Sequence, residues 1–338
     1  MTRSILFLVV FIYSTVLNAA IYYVDQGHPS ASDSNTGTET APWKTIQKAA
    51  NTLVADDKVW VKAGIYTELS SAGPNTGVTG LKPQNSGSAG KEIVYEAYPG
   101  DVVVLDQKKS GVGFYISGRS YIRVSGFEVR NTWGSALYTR NGASDITFEY
   151  NYIHNIDGQT GSNVGGIRFD QVVRPTARNN TIHTIRVGGV TNGNAACIHS
   201  YGMEDALIEN NNLSDAYNGV YHKLSTGRIG AMIRRNVIHN VKLGIYYDVQ
   251  GGGSPGHVNQ RATQNVIYNS ERGVYLRAKN ASPSNDGFYV WNNVIDTSLY
   301  GVIFDNAKNV DIYNNVIIGP LSKQAIASRS KVISINRI

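Results

Sequence analysis

The strongest constraint on this chain is a two-part phrase that keeps returning. From Asp205 it reads Asp-Ala-Leu-Ile-Glu-Asn-Asn-Asn-Leu, then Tyr-Asn-Gly-Val-Tyr-His-Lys ending at Lys223. It comes back as Ala-Met-Ile-Arg-Arg-Asn-Val-Ile from Ala231 and Leu-Gly-Ile-Tyr-Tyr-Asp from Leu243. Eight copies of the first half lie between Asn151 and Asn336. A unit this short cannot bury its own apolar face, so its copies must stack into a solenoid.

Setting the first halves in register places Phe127, Asn151, Asn180, Asn211, Asn236, Asn265, Asn293, Asn315 and Asn336 in one column. Successive positions differ by 24, 29, 31, 25, 29, 28, 22 and 21 residues. That suits one coil of short strands, at roughly 3.3 Å per residue, plus turns. Stacked asparagine amides can each donate to the next along the axis, so this column reads as scaffolding.

The second halves give four more columns. Leu137, Ile167, Ile198, Val220, Ile245, Val274, Val302 and Ile326 should point inward. Side chains alternate along a strand, so Tyr138, Arg168, His199, Tyr221, Tyr246, Tyr275, Ile303 and Ala327 should point outward. Thr139, Phe169, Ser200, His222, Tyr247, Leu276, Phe304 and Ser328 return inward. Arg140, Asp170, Tyr201, Lys223, Asp248, Arg277, Asp305 and Arg329 face out again. With coils about 4.8 Å apart, the outward columns make one strip of aromatic, cationic and carboxylate groups at sugar-binding spacing. An ordinary solvated face would favour Lys, Glu, Ser and Thr, so the strip is expected to be a groove.

The remaining chain agrees. With 35 Gly, 21 Tyr and only 17% charged residues, the composition suits short strands and turns, not helices. At 338 residues and 41% apolar content the chain can bury a large core, here as one elongated domain over residues 21–338. Residues 1–20, with Arg3, an apolar run from Ile5 to Val16 and small residues at Ala19 and Ala20, read as a signal peptide. That run is short for a membrane span, and no later segment is long and apolar. The lone Cys197 cannot form an internal disulfide. Export makes the location secreted or periplasmic. A net charge of +6 then favours a polyanionic partner. No dense Lys/Arg run or nucleic-acid motif appears, so an acidic polysaccharide is expected rather than nucleic acid, bound by a monomer.

At the start, Ile21–Val24 reads as a strand and Gly27–Ala41 as a loop. Over about residues 42–54, Trp43, Ile46, Ala50 and Leu53 recur three and four apart on one helical face. This helix is expected to cap the first coil, whose open edge would otherwise recruit other strands. The chain ends at Ile338 after only the first half of a coil, which reads as an incomplete last turn.

Three early segments carry a family resemblance. They are Tyr-Tyr-Val-Asp from Tyr22, Thr-Gly-Thr-Glu-Thr-Ala-Pro-Trp-Lys-Thr-Ile-Gln-Lys-Ala from Thr36, and Val-Trp-Val-Lys-Ala-Gly-Ile-Tyr from Val59. In this order they resemble the opening of secreted right-handed parallel β-helix proteins, many of them polysaccharide lyases of families six and nine. The resemblance implies an all-β, right-handed parallel β-helix, a single-stranded solenoid with a short N-terminal capping α-helix. It also implies a polysaccharide lyase acting on a uronic-acid-containing glycan, with a lysine base and calcium held by acidic residues.

Such lyases remove the proton beside a carboxylate and expel the neighbouring sugar oxygen. They need a base, a group that neutralises the carboxylate and often an acid. Lysine serves as base when its charged form is disfavoured by neighbouring cations or burial. Lys223, mid-strip near His199, Tyr201 and Tyr221, is the base the resemblance implies. Arg277, Arg168 or His199 would hold the carboxylate or act as acid, with Arg140, Tyr201, Tyr221, Tyr246 and Tyr275 binding sugar. Calcium would use Asp170 and Asp248. The chain departs from both families. It lacks a cluster of adjacent aspartates and a glutamate pair before the lysine, and the next coil carries Asp248 where an arginine would stand. The plain alternative for Lys223 is a solvated side chain or an ion pair to Asp248.

Hydrolysis is the rival reaction, and a non-catalytic glycan-binding or adhesion role is the rival function. A glycosidase wants two carboxylates at a set separation. Asp170 and Asp248, three coils apart, would stand about 14 Å from each other, too far. The Asn-Thr-Asp and Arg-Ile-Lys motifs of polygalacturonase-type hydrolases are absent, as is the Asp-Pro-His-Glu motif of uronan epimerases, and the one Asp-Asp pair, Asp56-Asp57, falls in an early turn away from the outward columns. His154, His183 and His239 share a repeat column and read as structural.

Overall fold

The computed structural model describes residues 19–68, 80–224, 230–250, 258–279, 285–305, 307–319, 323–328 and 335–337. All but the last two residues of the expected signal peptide lie outside that set, as does Arg329.

Two parallel sheets follow the axis. One joins twelve strands from Ile21–Val24 to Ile335–Arg337. The other joins fifteen, and its longer members turn a corner part-way. Asn212–Leu224 and Val237–Gln250 bend at Asp215 (φ 49°) and Asn240 (φ 52°), so each supplies two faces of its coil. The cross-section is thus three-sided, a parallel β-solenoid with one short helix.

The corner between the first two faces explains the asparagines. Before each ladder residue stands one in the left-handed region: Tyr150, Asn179, Asn210, Arg235, Gln264, Asn292 and Asn314, with φ of 53° to 56°. That conformation costs a non-glycine residue roughly 1–2 kcal/mol. The asparagine offsets it by satisfying the corner's backbone. Asn211 donates its amide to Asn236 Oδ1 at 2.9 Å and to Ala177 O at 2.9 Å. Its own oxygen accepts from Asn180 N and Nδ2, both at 3.0 Å. The ladder runs from Asn151 to Asn315, with Phe127 N donating to Asn151 at its start.

The second corner explains the glycine in Gly-Val-Tyr. A Cβ on Gly244 would meet Gly273 O at 2.5 Å and Ile267 Cγ2 at 2.7 Å, and Gly219, Gly273 and Gly301 are as tight. Inside, the two inward columns and the aliphatic residues of the other faces form one continuous core.

The helix is shorter than the sequence pattern predicts, Ile46–Thr52 with Thr45 as N-cap, its hydroxyl accepting from Lys48 N at 3.1 Å. Trp43 is the reason. Its backbone donates to Tyr23 O and accepts from Asp25 N in strand-like pairing, so the chain cannot turn helical before Thr45. The expected apolar face holds, with Trp43, Ile46, Ala50 and Leu53 all buried.

Candidate active site

The third face of the coil carries the predicted columns in the predicted register. Tyr138 pairs with Arg168, Arg168 with His199, His199 with Tyr221, Tyr221 with Tyr246, and Tyr246 with Tyr275. Beside them Asp170, Tyr201, Lys223, Asp248 and Arg277 follow one another, coil by coil.

The expectation of an open strip needs correction. Tyr221, Tyr246 and Tyr275 stack face to face, centroids 4.7 and 5.1 Å apart, and join Ala196, Leu243, Ile303 and Ala327 in an apolar cluster outside the bore. Tyr217 and Tyr300, which lead into this face, pack against that cluster and help to roof it. Arg140, Arg168, Tyr201 and Arg277 stay half-buried, whereas Lys223 is 5% exposed and His199 and Asp248 not at all.

Within this cover the polar groups are mostly paired. Arg168 makes a two-pronged bond to Asp170 at 3.1 and 2.7 Å, and donates to Asn163 O at 2.6 Å. Tyr138 donates to the same aspartate at 2.7 Å. Lys223 donates to Asn163 Oδ1 at 2.9 Å and to the Tyr201 hydroxyl at 3.1 Å, its ammonium 5.1 and 4.9 Å from the ring centroids of Tyr201 and Tyr221. Tyr221 donates to Asp248 at 2.8 Å, and Arg277 donates to Tyr246 at 3.0 Å while standing 4.0 Å from Asp248. Burial first, then the Asp248 charge, pushes the Tyr221 phenol up, so it keeps its proton. Arg140, toward the first coils, bonds its neighbour Asn141.

His199 does not face a groove. Both ring nitrogens are buried without a hydrogen-bond partner, between the rings of Tyr201 and Tyr221. Burial, then the charges of Arg168, Lys223 and His222, holds its pKa well below the ordinary value. Burial thus disfavours the charged imidazolium that an acid would need. His222 points into the core as expected, next to Tyr247, its pKa lowered to about 3 by burial. His154 and His183 stack on the second face, away from these groups, where His154 meets Glu128 and His183 meets Tyr152.

Two cavities flank Lys223. One, of about 640 Å³, opens toward the first coils and is lined by Trp133, Tyr138, Asn163, Arg168 and Lys109 among others. Trp133 is 47% exposed there. The other, of about 380 Å³, lies over Tyr221, Tyr246 and Tyr275 with Tyr217, Arg272 and Arg277. Among the described residues no carboxylate lines either one. Asn163, Trp133, Tyr217 and Arg272 were not anticipated. Asn163 and Trp133 sit in connections outside the named strands, and Tyr217 and Arg272 lie in strands at the corner that leads into this face, just before the four aligned columns.

The carboxylates do not suit calcium. Asp170 and Asp248 lie three coils apart, and Asp170 is taken up by Arg168 and Tyr138. Among the described residues no group of three or more His, Cys, Asp or Glu converges as metal ligands, whereas calcium takes six to eight oxygens. The ion pair weighed for Lys223 is replaced by its bonds to Asn163 and Tyr201.

Comparisons place the chain among known proteins. Residues 22–200 match a family model described as "Pel9A-like, right handed beta helix region". Residues 175–338 match one described as "Periplasmic copper-binding protein (NosD)". Pectate lyase PEL9 of Emericella nidulans is 33% identical over 95 residues, 28% of this chain and 20% of that protein. Protein YwoF of Bacillus subtilis is 24% identical over 205 residues, 54% of this chain and 41% of that one. The chain thus spans well under half the length of both relatives. Among solved structures, the GH136 lacto-N-biosidase of Eubacterium ramulus superposes with a TM-score of 0.61 at 12% identity, over 92% of this chain and 67% of that one. Pectate lyase Pel9A gives 0.52 at 14%, over 94% and 78%. At such identities these two likenesses speak for the fold alone. Among the described residues no helix is long and apolar enough to cross a membrane.

Proposed function

Because the chain belongs to the Pel9A-like right-handed β-helix family, we propose that it is an exported enzyme cleaving a uronate-containing glycan by β-elimination. The observation that carries this reading is the setting of Lys223. Its amine lies between two tyrosine rings, bonded to a third-party amide and a phenol, with a carboxylate-free cavity holding an arginine on either side. An acidic chain lying along the face meets cations and aromatic surfaces on both flanks. Two further supports are the pectate lyase among the relatives and the leader-like first twenty residues.

In its uncharged amine form Lys223 Nζ accepts the proton beside the substrate carboxylate, becoming an ammonium, as Asn163 gives way to the sugar. The electron pair left behind forms the new carbon–carbon double bond, and the bond to the neighbouring sugar oxygen breaks. Tyr201 accepts from Lys223 and therefore has its own hydroxyl proton free to pass to the leaving oxygen. Arg168, fixed by Asp170, retains guanidinium N–H groups for the developing negative charge. No step passes through calcium. Two-carboxylate hydrolysis is the weaker reading, since Asp170 and Asp248 stand three coils apart and each is bonded to a tyrosine, Asp170 to Arg168 as well.

Lys223→Met tests the assignment. Turnover of the preferred polyuronate should fall by about 10³-fold or more, as for loss of a base, while oligosaccharide binding by calorimetry changes little. Turnover retained in the folded variant removes Lys223 from the reaction.

A further inference from the structure

The smaller cavity has a composition that Lys223 does not explain. Four tyrosines and two arginines meet there, and among the described residues no acidic side chain lines it. Arg277 gives one donor to Tyr246, and its nearest carboxylate, wholly buried Asp248, stands 4.0 Å below and already takes the Tyr221 hydroxyl. Arg272 lies over the Tyr275 ring at 5.4 Å. Its nearest carboxylate, Glu271, is 4.0 Å away and pairs with Lys242 at 3.4 Å. The Arg272 Nε is buried with no hydrogen-bond partner. An unpaired buried N–H on a guanidinium is costly unless something fills the site, and a carboxylate matches the fork's geometry.

We propose that Arg272 and Arg277 form a subsite that grips the carboxylate of one sugar while the tyrosine edges hold its ring. The Tyr246 and Tyr275 coils lie one and two steps beyond the Lys223 coil, about 5 and 10 Å along the axis. Arg272 and Arg277 both belong to the Tyr275 coil, so the gripped carboxylate belongs to a different unit of the glycan from the one that loses its proton. The ligand therefore carries at least two uronates on one chain, not an isolated acidic sugar in a neutral chain. The choice of ligand rests on the elimination reading, but the subsite is tested by binding alone.

The experiment is calorimetric titration of the full chain, carrying Lys223→Met to prevent cleavage. Alginate, pectate and glycosaminoglycan oligosaccharides are the probes, and the carboxyl-reduced form of the tightest one is the control. Adding Arg272→Gln should weaken the acidic oligosaccharide at least about tenfold, the scale of a lost charge-assisted pair, and its reduced form less than about twofold. Arg272→Lys keeps the charge and loses the fork, so it should fall between. Circular dichroism and melting check that each variant folds. Equal losses for both ligands, no loss, or no acidic probe bound by the parent overturns the subsite. The two readings separate cleanly. Unsaturated product without charge-selective binding keeps the lyase and sinks the subsite. Charge-selective binding without unsaturated product does the reverse.

Discussion

Two polar columns run along this solenoid, and they differ in kind. The corner column is asparagine at seven successive described coils, and each amide bonds to the next and to a backbone carbonyl. The Lys223 column changes at every coil, from Asp170 to Tyr201, Lys223, Asp248 and Arg277. The first repeats because one backbone problem, a left-handed corner, recurs and has one side-chain solution. The second varies because the fold does not need those residues. Repetition marks scaffold; variation under cover, with cations and few spare carboxylates, marks the candidate site.

Breaking the corner column should cost the most stability. Asn236→Ala removes the acceptor of both Asn211 N and Asn211 Nδ2 and the donor to the Ile208 carbonyl. Three buried groups losing partners should cost about 3 kcal/mol or more, read as a lower thermal midpoint, with turnover per folded molecule unchanged. A variant that melts normally but loses turnover would erase the distinction between the columns.

Acid should act next, through histidines that both columns leave neutral. An imidazole in the unfolded chain titrates near 6.5, and burial lowers His222 to about 3 when folded. The unfolded state then takes up its proton first. This contribution is complete above the unfolded value and is lost as pH falls from about 6.5 toward 3. His199 shifts the same way. The midpoint should drop steadily below neutrality, and His222→Leu should flatten that slope. An unchanged slope in the variant would mean His222 is not the titrating group.

Smaller effects should map the flank of the site. Trp133→Ala removes a half-exposed ring from the larger cavity. Loss of such a face should cost about 1 kcal/mol of binding, roughly fivefold in KM, with the melting midpoint unmoved. A KM left at its original value would take Trp133 out of the binding surface. On the second face, His183→Ala should shift stability by less than about 0.5 kcal/mol and leave turnover alone. A loss of turnover there would extend the site across two faces.

The sequence carried the register of this molecule well, because Asn, Val and Ile recur at one position per coil and strand alternation does the rest. It did not carry the roof. Tyr217, Leu243 and Tyr300 fall at corners, where direction depends on a single bent residue, so a strip expected to be open proved covered. Asn163, which ties Lys223 to Arg168, lies in the connection between Gly158 and Val164, outside both repeat halves. Trp43 shows the same limit at the other end. Its spacing is helical, yet its backbone serves the first strand.

The most direct measurement follows the products when the full chain meets pectate, alginate and glycosaminoglycans. The account predicts unsaturated ends, seen as rising ultraviolet absorbance, from at least one polyuronate, and none from the Lys223→Met variant. New reducing ends without that absorbance, or binding without any cleavage, would contradict it.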